Sequence, residues 1–252
     1  MNIVLFANSS FALNPFKKLL STNHSIKYVV TNTDKPSGRK KILKSTPIAQ
    51  FANESNLNLL KIDNFNDIDF VDKLKNANAD VFIVIAYRIL PNTIYNIPTF
   101  GSINMHASYL PEYPGASPIQ RSIINGEKKL GLTTFFLNDQ IDKGDIIMRE
   151  RYNIDDKITY GDAYKHLSSM ASKLLLKTLN SLTNIKPIQQ NGEIIEYAKK
   201  IKSEEYKISL NNDSVSIHNL FRGLTPPTPY LCINNKKIKL FNTYYISNCE
   251  NS

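Results

Sequence analysis

The sequence has no tryptophan and only two cysteines and nine glycines in 252 residues. Cys232 and Cys249 form neither a CxxC pair nor a His/Cys cluster with zinc spacing. That excludes a disulfide framework and a structural zinc site, and it points to a reducing compartment. None of the glycines stands in a GxGxxG or GxxxxGK arrangement, so the usual phosphate loops for dinucleotides and nucleoside triphosphates are missing. No tract approaches the roughly 18 uninterrupted apolar residues of a membrane helix. The opening MNIVLFANSS carries no basic region ahead of its short apolar run, so neither a membrane partner nor a secretory signal is expected, and the place expected for the chain is the cytoplasm.

What is present is an ordinary globular composition, 42% hydrophobic, 21% charged and 10% aromatic, with enough length to bury a core. Lys and Arg number 31 against 22 Asp and Glu, a formal charge of +9. Such a charge favours anionic partners, RNA, DNA or phosphorylated metabolites. A chain rich in Lys, Asn and Ile also fits a biased coding composition, so charge alone does not choose.

Apolar runs alternate with segments of helical spacing. Runs at 2–7, 26–31, 57–62 and 80–87 are separated by expected helices near 11–20, 47–55 and 67–76. This alternation predicts an α/β fold with a mostly parallel sheet covered on both sides, and the most apolar run, DVFIVIAY, belongs at its centre. Further strands are expected at 101–107, 130–137 and 145–154, and helices near 117–125 and 159–183. The expected division is a catalytic domain over 1–183, a linker over 184–205 and a C-terminal part over 206–252. That last part holds a helix, SVSIHNLFRGL, and strand-like TPYLCI and KKIKLF joined at Asn234 and Asn235, too few strands to close a barrel.

The chemistry lies in Asn104-Met105-His106, in Ser108 to Pro111, and in the loop Gln140-Ile141-Asp142-Lys143-Gly144-Asp145. Residues i and i+2 on a strand share a face, so Asn104 and His106 can address one site at the end of a sheet strand. An amide beside an imidazole suits a reaction through a tetrahedral oxyanion: the amide donates to it and the imidazole donates or moves a proton. Asp142 or Asp145 could orient the histidine. Each of these residues alone also fits a strand cap or a solvated turn, and His24, His166 and His218 are assigned to surface or packing.

Residues 101–145 as a whole resemble the core of the 10-formyltetrahydrofolate-dependent formyltransferases, whose signature is N-x-H, an SLLP-like turn and an xDxGD loop. The resemblance implies a Rossmann-like fold in which Asn104, His106 and Asp142 form the catalytic triad and Asp145 is a second, structural aspartate. It implies that Ser108, Tyr109, Leu110 and Pro111 contact folate, and that the pterin lies against Ala86, Tyr87, Arg88, Ile89 and Leu90. A primary amine attacks the formyl carbon, Asn104 and His106 stabilise the oxyanion, Asp142 holds or accepts the amine's proton, and no metal is required.

The loop Thr33 to Pro47 is similar to the D-R-P-A-G-R-G-K-K-L-x-x-S-P loop of the methionyl-tRNA formyltransferases within that superfamily. Five of the ten residues from Lys35 to Lys44 are Lys or Arg. A cationic loop beside a catalytic pocket suits steering of an RNA backbone. The resemblance implies that Arg39 above all, with Lys40, Lys41 and Lys44, meets initiator methionyl-tRNA, and a monomer is expected. The likeness extends to about residue 243, where FRGLTPPTPY and KKIKLF match the start of a C-terminal β-barrel expected to be incomplete here. Pro114 stands where the family usually has Arg, Lys40 replaces a loop glycine, and Lys143 replaces a small residue. The competing readings are an amino-sugar nucleotide formyltransferase, which would lack the GRKK-type loop, and an RNA-binding relic, against which the intact triad argues. A formyl-folate hydrolase would need a regulatory domain before the first strand, which begins at residue 2.

Overall fold

The computed structural model of the chain describes residues 1–38, 42–191 and 196–246. It begins with β1 (Asn2–Ala7), α1 (Leu13–Leu20) and β2 (Ser25–Thr31), followed by a small hairpin of β3 (Lys35–Ser37) and β4 (Ile42–Lys44). Next come α2 (Pro47–Glu54), β5 (Leu59–Lys61), α3 (Ile68–Asn76), β6 (Val81–Ile85), α4 (Asn92–Tyr95) and β7 (Ser102–His106). Then α5 (Pro118–Ile124), β8 (Lys129–Phe136), β9 (Ile146–Asn153) and the long α6 (Tyr160–Ser181) follow. After the segment from 182 to 213 come α7 (Ser214–Gly223) and a hairpin of β10 (Tyr230–Ile233) and β11 (Lys236–Lys239).

The main sheet has seven strands in the order β5-β2-β1-β6-β7-β8-β9. Pairings from β5 across to β7 are parallel, and β8 and β9 are added antiparallel. β6 is the fourth strand, and every residue of it is buried, which accounts for its unbroken apolar run. Because the chain runs outward from β1 to β2 and β5 and then returns to β6, a crevice opens beyond the carboxyl ends of β1 and β6, the usual ligand position in such sheets.

The two sheet faces bury two separate apolar clusters. One contains Leu5, Ala7, Ile83, Ile85, Ile103 and Met105 beneath α1, α2 and α6. The other contains Val4, Phe6, Phe82 and Val84 beneath α3 and α4. The period-2 alternation of β1 and β6 sets this split. Fully burying one such side chain contributes on the order of 1.5–3 kcal/mol, so these faces dominate the stability.

Helix starts follow their capping residues. Thr46 accepts from the Ala49 amide, Asp67 from that of Phe70, and Thr159 with Asp162 forms a capping box that opens the 22-residue α6. The β10–β11 turn falls at Asn234 and Asn235, both left-handed, at φ 47° and 61°. Two features depart from the sequence reading. The basic loop is a two-stranded ladder on both sides of residues 39–41, with Pro36 opposite Leu43. The segment expected to be a linker is packed: Ile188 exchanges two backbone bonds with Ile146, both of 2.8 Å, and Ala198 is completely buried.

Candidate active site

Asn104 and His106 stand at the end of β7, held in register by Phe135 and Thr133 of β8. The turn after them is fastened from within. The Thr133 hydroxyl donates to the Ser108 carbonyl at 2.7 Å and accepts from the Leu110 amide at 3.0 Å, and the Ser108 hydroxyl donates to the Glu112 carbonyl. That turn delivers the Tyr113 carbonyl to His106 Nε2, 3.1 Å away. A carbonyl oxygen only accepts, so this contact requires the proton on Nε2 and leaves Nδ1 with a lone pair in the neutral ring. Nδ1 faces Asp142 Oδ2 at 3.8 Å, and both side chains are about nine-tenths buried, at 9% and 12% exposure.

Asp142 lies in the connection between β8 and β9 with φ at 55°, a left-handed conformation that costs an ordinary residue free energy. Its Oδ2 accepts from the Gly115 amide at 2.8 Å. Gly115 has φ of 119°, and a Cβ there would stand 2.8 Å from the Ala198 carbonyl oxygen. Only glycine fits this close approach. Ala198 bonds this loop on both sides, donating to the Pro114 carbonyl at 2.7 Å and accepting from Ala116 at 2.8 Å. Nearby, Arg121 grips Glu205 through two bonds of 2.6 and 2.9 Å and donates to the Lys199 carbonyl. The Arg121 guanidinium holds the Glu205 carboxyl below the usual carboxylate range.

Asn104, His106 and Asp142 border one cavity of about 470 Å³, within the usual range for small-molecule sites. The cavity opens across the end of the sheet and takes walls from both faces. Val84, Tyr87, Leu90, Tyr95 and Leu137 come from the α3/α4 side. Phe11, Met105, Ile119, Tyr160 and Tyr164 come from the α1/α6 side. Tyr95 donates to Asp139 at 2.6 Å, and Tyr164 shares its hydroxyl with Ser9 at 2.7 Å. Burial pushes the Tyr160 phenol up to about 12.

The structure brings Ala86, Tyr87, Arg88, Ile89 and Leu90 to this cavity, and none of the four residues of the turn at 108–111 borders it. Leu110 is wholly buried in the core, and the Tyr109 ring lies outside, beneath the guanidinium groups of Arg149 and Arg151 at 4.3 and 3.9 Å. Pro111 borders a neighbouring polar cleft that also includes Asp145 and Gln190. The visible work of this turn is to aim the Tyr113 carbonyl at His106. Lys44 is exposed on β4, and the expectations for Arg39, Lys40 and Lys41 lie outside the described residues. The root of that hairpin is anchored by an Asp34–Lys61 pair at 2.7 Å and by Thr33 donating to Asp63. Among the described residues no group of three or more His, Cys, Asp or Glu could hold a metal.

Sequence reasoning missed Tyr113, Gly115 and Gln190. Gly115 had a signal in Tyr-Pro-Gly, a turn-forming run shortly after the histidine. Gln190 had none, because its partners are backbone carbonyls 46 and 48 residues away.

A half-buried amide, a buried imidazole and a nearly buried carboxylate border one cavity at the switch point of an open α/β sheet, an arrangement that suits acyl transfer. Residues 1–179 match the family described as Formyl transferase, and residues 200–252 match Formyl transferase, C-terminal domain. The chain belongs to the formyl transferase family. It is 41% identical over 230 residues to a methionyl-tRNA formyltransferase of Caldicellulosiruptor saccharolyticus, covering 89% of this chain and 73% of the relative. To one of Fusobacterium nucleatum it is 34% identical over 247 residues, covering 96% and 79%. Among solved structures it resembles a 4-N formyltransferase from Francisella tularensis, with a TM-score of 0.71, 21% identity and coverage of 97% and 98%. It also resembles WlaRD, a sugar 3N-formyl transferase, with a TM-score of 0.71, 21% identity and coverage of 98% and 88%. At that identity the structural likeness carries the fold alone.

Proposed function

We propose that the protein transfers the formyl group of 10-formyltetrahydrofolate to the amino group of initiator methionyl-tRNA, in the cytoplasm, in support of translation initiation. The observation that carries the reaction is the convergence of Asn104, His106 and Asp142 on one cavity. The acceptor is favoured by relatives named methionyl-tRNA formyltransferases at 34–41% identity and by the Lys- and Arg-rich stretch from Lys35 to Lys44.

The folate fits the lobe formed by Ala86 to Leu90, Tyr95 and Leu137. That lobe is apolar, yet its lining includes Asp139, whose carboxylate accepts from Tyr95. A flat heteroaromatic ring with donors and acceptors on its edge matches such a wall. The folate supplies an activated one-carbon acyl group when bound. Asn104 donates its amide N–H to the acyl oxygen as negative charge develops there. His106, fixed by its Nε2–H bond to Tyr113, presents Nδ1 toward Asp142. Asp142 takes up the proton that the attacking amine loses and returns it to N10 as the bond from N10 to the formyl carbon breaks and tetrahydrofolate leaves, and the Gly115 amide keeps the carboxylate from turning away. The hairpin of β3 and β4 meets the RNA backbone by charge, with Arg39, Lys40, Lys41 and Lys44 as its contacts.

The test is one assay with three acceptors. The protein is incubated with 10-formyltetrahydrofolate and, separately, initiator methionyl-tRNA, a 4-amino-sugar nucleotide, or water alone. Formyl-methionine from the first mixture, with no comparable turnover in the others, is the expected result. Formylation of the sugar nucleotide in preference to the tRNA overturns the choice of acceptor, and release of formate alone overturns group transfer.

A further inference from the structure

Gln190 lies in the segment between the two stretches that match the family, 1–179 and 200–252, and so belongs to neither. Its side-chain amide spends both hydrogens on the Asp142 loop. Nε2 donates to the Asp142 carbonyl at 2.9 Å and to the Gly144 carbonyl at 2.8 Å. The two carbonyls flank Lys143, so one planar amide clamps the turn in which Asp142 holds its left-handed φ.

The same segment is fixed on either side of that clamp. Two residues earlier, Ile188 bonds reciprocally with Ile146, just past the Asp142 loop. Further on, Ala198 bonds the Pro114 carbonyl and the Ala116 amide. Those bonds position Gly115, whose amide holds the Asp142 carboxylate. The segment therefore touches the aspartate from two directions: Gln190 holds its backbone, and Ala198 holds the donor to its side chain.

We infer that Gln190 is a positioning residue for the reaction and that the described stretches 188–191 and 196–205 act as a strap setting the Asp142 carboxylate against His106. This rests on the role proposed above for Asp142. An aspartate that must receive a proton at one geometry is sensitive to displacements that the fold as a whole tolerates.

The test uses Gln190→Ala, which removes the donor, and Gln190→Glu, which keeps length and shape but sets carboxylate oxygens against two carbonyls. Each is made in the full chain and again in a chain that carries Asp142→Asn. Expected is a fall in kcat of about tenfold or more, with KM for folate and for methionyl-tRNA within about twofold, and no further fall in the Asp142→Asn background. Unchanged kcat overturns the inference, as does the same loss with Asp142 already replaced. Loss of a cooperative thermal transition in both variants assigns Gln190 to stability and also overturns it.

A readout independent of turnover separates this inference from the functional reading. Hydrogen exchange at the Gly115 amide should quicken at least about tenfold in Gln190→Ala, because Asp142 Oδ2 is its acceptor. If the unaltered protein transfers no formyl group, the proposed function fails. The exchange measurement then decides the strap alone, and unchanged protection at Gly115 sinks it.

Discussion

The β3–β4 hairpin follows the carboxyl end of β2, the Asp142 loop leaves β8 where Phe136 pairs with Ile103 and reaches His106, and the two are built in opposite ways. Around Asp142, backbone and side chains are bonded from several directions: Gly115 to the carboxylate, Gln190 to two carbonyls, and Ile188 to the strand that follows. The hairpin has two three-residue strands, and Ile42, Leu43 and Lys44 are all exposed. Among the described residues no helix or sheet face covers β4, so the burial that stabilises the core is largely missing here. The contrast matches two tasks. Moving a proton demands placement within a fraction of an ångström, whereas drawing a polyanion toward a crevice needs charge at roughly the right distance.

Five substitutions sharpen that contrast or break it. The largest effect is expected for Asp142→Asn or His106→Ala, a fall in kcat of about a hundredfold or more with folate binding nearly unchanged. Steady-state kinetics beside a folate titration measure this, and a matching loss of folate affinity would place both residues in binding instead. Gly115→Ala comes second. The φ of 119° and the Ala198 oxygen 2.8 Å away leave no room for a methyl group. About 1–3 kcal/mol of stability and roughly tenfold in turnover should go, read by denaturant unfolding and by rate.

Arg39→Ala should be milder and of a different kind. The expected result is a KM for tRNA raised several-fold with kcat held, and a salt dependence of binding shallower by about one unit of log–log slope. If tRNA kinetics do not change, the hairpin has no part in RNA binding. The smallest effect belongs to Glu205→Gln at the end of the strap. Arg121 lowers the folded-state pKa of Glu205 below its unfolded value. The stabilisation is therefore present above the ordinary glutamate range and disappears as pH falls through the folded value. The variant should melt slightly below the parent at pH 7, by less than about 1 kcal/mol, and together with it once the pH lies below the folded-state value. A gap that persists at low pH would show that the contribution is not ionic.

Most of the fold could be read from the sequence because apolar runs such as NIVLFA and DVFIVIAY admit little but buried strands. All seven main-sheet strands lie where those runs stand. The antiparallel addition of β8 and β9 was less accessible, since a strand's apolar pattern does not record the direction of its neighbour. The same limit applies to the site. Asn104 and His106 were legible through their strand spacing, and Asp142 through its motif. The turn at 108–111 has a second task that its residue types did not disclose, a ladder of internal bonds to Thr133 and Arg149. The strap was invisible for a simpler reason: its Asn-, Gln- and Lys-rich composition is that of an exposed tether, and its contacts run to main-chain atoms, which every residue possesses.

Arg222 on α7 gives the molecule one more property. It is 1% exposed, and it donates to the Asp155 and Ile158 carbonyls and to Asn219 Oδ1. Its hydrogen-bond acceptors are neutral oxygens, and burial lowers its pKa. Dissolved ions screen exposed charges far more than enclosed dipoles. Washing in concentrated sodium chloride should therefore strip adhering polynucleotide from the lysine-rich surface while α7 keeps its seat, a practical route to clean protein with its carboxyl-terminal part still docked.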